Sequence, residues 1–140
     1  SDVSEFFPRI AARTRRRGLV LLISDMFFEP EVLEKGLLQL RHRQQEVVVF
    51  HLLHEDELNF PFRDNTLFQG LESDRELMAE PAAMRQSYLK ALRKFQKTVR
   101  QICSRAAIDY VQLSTGEPPQ AALSRYLASR QKIRYTYRRG

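Results

Sequence analysis

Residues 18–31 read GLVLLISDMFFEPE, and the fold turns on how they are read. Five apolar side chains follow Gly18 without a break, then come Ser24, Asp25 and Met26, two phenylalanines, and Glu29-Pro30-Glu31. A strand with no polar alternation is expected in a parallel sheet whose two faces are both covered by helices. Proline in a first turn gives up an N–H that has no partner there, and flanking acids suit the positive end of the helix dipole, so a helix is expected to begin at Glu29-Pro30. The chemistry of the stretch rests on Asp25. At the carboxyl end of a strand, an aspartate caps the next helix, holds a metal or marks an active site.

Upstream, Phe6, Phe7, Ile10 and Ala11 cluster at helical spacing within residues 2–15, with Arg13 to Arg17 closing the helix and Gly18 ending it. Downstream, Val32, Leu33, Leu37, Leu38 and Leu40 form one face of a helix reaching about Arg43. EVVVFHLL, residues 46–53, is a second buried strand by its β-branched run. Two such strands joined by a helix make a parallel, right-handed βαβ unit. Residues 54–81 break the pattern: TLFQGLES and RELMAE around Ser73-Asp74 read as a β-hairpin inserted at about 60–80. Pro81 then opens the longest helix, about 82–107, with Tyr88, Leu92, Phe95, Val99, Ile102 and Ala106 as its inward stripe. IDYVQLS, residues 108–114, is a third strand, followed by a helix over 118–130 that turns Ala122, Leu123, Tyr126 and Leu127 inward. The tail, 131–140, alternates Ile133, Tyr135 and Tyr137 with basic residues and reads either as an edge strand or as a disordered basic arm. The sum is one α/β domain over residues 1–140, a partial doubly wound sheet with three parallel core strands and flanking helices. Sheets usually have about five strands, so this is half a fold.

The chain of 140 residues, 43% hydrophobic and 29% charged, suits a single domain with a real core. No apolar run approaches the roughly 20 residues that span a bilayer, so no membrane contact is expected from this segment. SDVSEFFPRI at the start lacks the basic-then-apolar pattern of a signal peptide. One cysteine, Cys103, excludes an intrachain disulfide and fits a reducing, cytoplasmic setting. A net charge of +6 suggests acidic partners.

LVLLISD, its helix, EVVVFHLL, the ELNFPF turn, the hairpin, Pro81, Arg85 and Tyr88 of P-x-x-x-R-x-x-Y, and IDYVQLST occur in that order. Together they closely resemble the C-terminal part of a bacterial family of unknown function, domain of unknown function number fifty-eight. Its members carry a von Willebrand factor A-like domain and are typically encoded beside MoxR-type AAA+ ATPases. The resemblance covers nearly the whole chain and implies the C-terminal half of a von Willebrand A-like, Rossmann-like domain. Asp25 of ISD matches the aspartate that ends the fourth strand of such domains, where a divalent cation sits. Ser1-Asp2-Val3 only partly matches the middle motif, and the first motif, Asp-x-Ser-x-Ser, is missing. Mg²⁺ prefers octahedral oxygen ligands, so one aspartate is the remnant of a site that is incomplete in this chain, and Mg²⁺ is expected, if anywhere, in a full-length parent.

His51, His54, Glu55 and Asp56 hint at a metal cluster, but strand alternation sends His51 and His54 to opposite faces. Cys103, beside Ile102, is expected to be a buried structural thiol. The five scattered glycines build no phosphate loop. Between Pro81 and Ile108 there is no Asp or Glu, and Lys90, Arg93, Lys94, Lys97 and Arg100 follow the outer face of the long helix. A solvated surface is the plain reading of that face; an acidic partner is the functional one. The sequence therefore predicts, first, a non-catalytic protein-interaction module working with a MoxR-type AAA+ ATPase. A basic nucleic-acid-binding module comes second, with the tail's Arg134, Arg138 and Arg139 assisting. Third is a metal-dependent hydrolase using Asp25. An apolar strand Leu19–Ser24 at the edge of the sheet further predicts a homodimer through that edge.

Overall fold

The computed structural model describes residues 3–55, 57 and 75–138. A 3₁₀ turn, Val3–Glu5, leads into α1 (Phe6–Arg13), then β1 (Leu19–Ser24), α2 (Pro30–His42), β2 (Glu46–Leu53), α3 (Arg75–Arg105), β3 (Asp109–Ser114) and α4 (Pro119–Arg138). The strands form one parallel sheet in the order β1-β2-β3. The elements named here thus make an α/β fold with, among the described residues, a three-stranded parallel sheet flanked by α1 to α4.

Register sorts the side chains. Val20, Leu22 and Ser24 lie beside Val47, Val49 and His51 on one face, which Tyr110 shares. Against this inner face pack Phe7 and Ala11 of α1, Leu33, Leu37 and Leu40 of α2, and Val99, Ile102, Cys103 and Ala106 of α3. The outer face carries Val48, Phe50 and Leu113 under Ala122 and Tyr126 of α4. Tyr126 meets Phe50 edge-on, and its hydroxyl donates to Asp109 Oδ2 at 2.8 Å. Arg130 of α4 pairs with Glu46 at the start of β2. Arg41 locks two helix ends together, donating from Nε to the Ala106 carbonyl at 3.2 Å and from a terminal nitrogen to the Gln45 carbonyl at 3.3 Å.

Several expectations change. β1 is not covered on both faces: Leu19, Leu21 and Ile23 on its outer side are 52%, 48% and 61% exposed, while Leu22 is buried. Residues 75–80, assigned above to the second arm of a hairpin, are helical, and Pro81 lies inside α3 rather than at its start. The remainder of the expected hairpin, 60–74, lies outside the described residues. Residues 131–138 continue α4 instead of forming an edge strand or a loose arm. In α3 the core-facing position is Leu89, not Tyr88; Tyr88 is exposed and its hydroxyl reaches Glu57 Oε1 at 3.5 Å. Leu123 and Leu127 of α4 are exposed rather than inward. Gly18 does not end α1, since Thr14 does so through bonds from Oγ1 to the Ile10 and Ala11 carbonyls at 3.0 and 3.3 Å. A Cβ on Gly18 would sit 3.3 Å from Gln45 Oε1, so close packing favours glycine there.

Candidate functional site

The carboxyl ends of the strands are where a parallel sheet presents its chemistry. After β1 the chain makes a tight turn around Met26, a fully buried residue at φ 60°. Left-handed backbone costs an L-residue about 1–2 kcal/mol, so the surroundings must hold it. They do so through short polar side chains: the Met26 N–H donates to Ser24 Oγ at 3.1 Å and the Phe27 N–H to Asp25 Oδ1 at 3.2 Å. A further bond from the Phe28 N–H to the Met26 carbonyl at 2.7 Å closes the turn. Asp25 is therefore a turn-making aspartate of the kind that mimics a backbone carbonyl. Its exposed carboxylate has one oxygen already engaged.

Beneath this turn lies His51, buried at 1% exposure. Its Nε2 is 3.0 Å from the Asp25 carbonyl and its Nδ1 2.7 Å from the Tyr110 hydroxyl. A carbonyl only accepts, so Nε2 carries the proton and Nδ1 accepts from Tyr110. Burial pushes the imidazole below its ordinary value, outweighing the nearby Asp25 and Glu57 charges. Burial likewise raises the Tyr110 hydroxyl. Phe95 and Tyr110 pack edge-on against the His51 ring, Phe27 stacks on Phe95, and the Arg100 guanidinium lies 5.4 Å from the centre of the Tyr110 ring. Sequence reasoning singled out His51 only as a metal ligand. Its actual role, holding the Asp25 backbone, could have been suspected from a lone histidine inside a β-branched run.

The other strand ends are self-satisfied in the same way. Glu57 Oε2 accepts the His54 N–H at 3.0 Å, Thr115 Oγ1 accepts the Glu55 N–H at 3.1 Å, and Ser114 Oγ accepts the Gly116 N–H at 3.1 Å. His51 points into the inner core while His54 lies beyond the strand, so the two do not converge; Asp56 lies outside the described residues. Among the described residues no group of three or more His, Cys, Asp and Glu side chains is placed to hold a metal ion. Asp25, half used by its own turn, does not by itself fit a hard cation that wants six oxygens. Cys103 is buried, and burial pushes its thiol up to about 11, which makes it a poor nucleophile.

Lys90, Arg93, Lys94, Lys97 and Arg100 are all exposed on α3. Arg100 is drawn toward the sheet by Tyr110, and Arg105 pairs with Glu34 of α2 at 3.0 Å, which leaves the first four as the open cationic face. An open cleft of about 840 Å³ lies elsewhere, beside α2, and includes Pro8, Glu31, Lys35, Leu38 and Arg43. Its mixed charges give it no evident chemistry.

The most unusual surface is β1 itself. The Gly18 carbonyl accepts the Glu46 N–H at 2.9 Å, so the backbone groups of Gly18, Val20, Leu22 and Ser24 point toward β2. Those of Leu19, Leu21 and Ile23 consequently point the other way, to the side where no described strand pairs. The same three residues expose their side chains on the outer face. Leu52 borders them at the end of β2. Leu123 and Leu127 of α4 are likewise exposed, and Arg130, further along the same helix, reaches Glu46 at the start of β2. No protein-family model, no curated protein and no solved structure matches this chain. No helix of the described residues is long and apolar enough to cross a membrane.

Proposed function

We propose that the chain is a non-catalytic protein-interaction module that works with a MoxR-type AAA+ ATPase in assembling or activating other protein complexes. The observation that carries the reading is β1. The alternate residues Leu19, Leu21 and Ile23 expose an apolar side-chain strip beside a main-chain edge on which no described strand pairs. Water solvates the edge well enough but not the strip, so the surface is best satisfied by protein. The strand-end polar groups, by contrast, are occupied with one another, which supports a structural rather than a catalytic role for Asp25. The ATPase as partner rests on the family resemblance of the LVLLISD, ELNFPF and IDYVQLST motifs. Lys90, Arg93, Lys94 and Lys97 supply the face an acidic surface of that partner would meet.

Calorimetric titration of the chain with a MoxR-type ATPase tests this. Saturable binding without turnover is expected, weakened at least about tenfold by combined Lys90→Glu, Lys94→Glu and Lys97→Glu substitutions. No binding would overturn the reading. The part of α3 after Pro81, which carries Lys and Arg but no Asp or Glu, also favours a second reading, a nucleic-acid-binding module. Binding of single-stranded oligonucleotides that collapses steeply with salt would put that reading first. An activity abolished by Asp25→Asn would instead point to the hydrolase.

A further inference from the structure

We infer that the partner on the β1 edge is a second copy of this chain, paired antiparallel about Leu21. The inference rests on the interaction-module reading and names one of its partners. A homodimer with a two-fold axis normal to the sheet places the outer faces of both copies on the same side, so opposed residues must both be outward or both inward. It also requires the residues that present free backbone groups to meet one another. Leu19, Leu21 and Ile23 satisfy both conditions, because their N–H and C=O groups face the open edge and their side chains lie on the outer face. Centring the axis on Leu21 pairs Leu19 with Ile23 of the second copy, Leu21 with Leu21, and Ile23 with Leu19. Each pair exchanges two N–H···O bonds. A shift of two residues in either direction leaves one of the three without an apolar opposite.

Charge selects the same alignment independently. The strand is flanked by Arg15, Arg16 and Arg17 before it and by Asp25 and Glu29 after it. Antiparallel pairing sets each basic end beside the other copy's acidic end, and the Leu21-centred register brings Arg17, in the bend just before the strand, to the level of Asp25, just after it, at both ends. Arg17 is exposed, and its Nε donates to Gln44 Oε1 in the α2–β2 connection at 2.6 Å, a bond that engages one of its five N–H groups. Asp25 is exposed with Oδ1 held by the Phe27 N–H. The result is a six-stranded sheet whose middle two strands carry one apolar strip on the outer face. That strip is two strands, roughly 10 Å, wide, and is flanked by the two α4 helices.

Light scattering across a dilution series, with Arg17→Asp and Asp25→Arg measured alone and mixed, tests the pairing. The wild type is expected to be a dimer. Each variant sets like charges opposite one another and is expected to dissociate at concentrations at least about tenfold higher than the wild type does. An equimolar mixture is expected to recover the dimer, since a copy with two acidic positions then faces a copy with two basic ones. Circular dichroism reports whether each variant is folded; if one is not, Arg17→Gln and Asp25→Asn serve instead, each expected to weaken the dimer by a smaller factor. A wild-type monomer at every concentration overturns the inference, as does a dimer indifferent to the variants or a mixture that stays monomeric. The ATPase titration is read separately: a monomer that still binds the ATPase removes this pairing and leaves the module, and a dimer that binds no ATPase does the reverse.

Discussion

His51 is the residue on which the strand-end geometry hangs. One ring nitrogen holds the Asp25 carbonyl and the other accepts from Tyr110, so the ring is needed neutral. In the unfolded chain it protonates near 6.5, and in the folded chain only at lower pH. The unfolded state therefore takes up its proton first. Stability from this group is complete above the unfolded value and falls as pH drops below it, by up to about 1.4 kcal/mol per pH unit until the folded value is reached. Thermal melts at about pH 7.5 and about pH 5.5 should show the loss, and His51→Gln, which keeps a donor and an acceptor, should flatten it. Gly36 is a second residue with a clear sign. A Cβ there would overlap the Phe7 ring, which fills the space between α1 and α2. Although alanine is the better helix former by about 1 kcal/mol, Gly36→Ala is expected to destabilise by about 1–3 kcal/mol in chemical denaturation, because a buried aromatic ring must move.

At the scale of elements, α2 and α3 end alike. Gln44 and Ala107 both adopt left-handed backbone, at φ 62° and 54°. The following amides reach back to the Leu40 and Cys103 carbonyls at 3.2 and 2.9 Å, completing a Schellman turn that usually carries glycine. Ala107→Gly should therefore raise stability by up to about 1 kcal/mol, and Gln44→Gly by less, since it also gives up the bond to Arg17. β1 gives the opposite contrast within six residues. Leu22→Ala should cost about 2–5 kcal/mol, whereas Ile23→Thr one position on should change the stability of dilute protein by less than about 1 kcal/mol. Element ends were the part least legible in sequence. α3 starts earlier and α4 ends later than local signals suggest, because Pro81 and the Ile-Tyr-Tyr alternation of the tail are local cues that the helices override.

The whole sheet was legible in its strands and not in its cover. Leu19–Ser24 and Glu46–Leu53 announce themselves as apolar β-branched runs, and Asp109–Ser114 by its position after the longest helix. What an apolar run does not reveal is which of its faces has a helix. The missing step is handedness. Two right-handed crossovers that advance in the same direction, β1 to β2 to β3, put α2 and α3 on the same face. The outer face is left to α4, which covers β2 and β3 and stops short of β1. The candidate site follows the same division. Asp25 and the α3 cations stand out as residue types, but the bonds that occupy Asp25 and the bareness of Leu19, Leu21 and Ile23 are properties of the assembled layers. Neither could be read before the layers were known.

The alternation of β1 also has a kinetic signature. The amides of Val20, Leu22 and Ser24 are spent inside the sheet and should release hydrogen to deuterated solvent only when the strand opens. Those of Leu19, Leu21 and Ile23 look outward and should label promptly in an isolated copy. One strand would then hold fast and slow amides in strict succession, a pattern that Arg17→Asp should display and that association through this edge would erase by slowing every second residue.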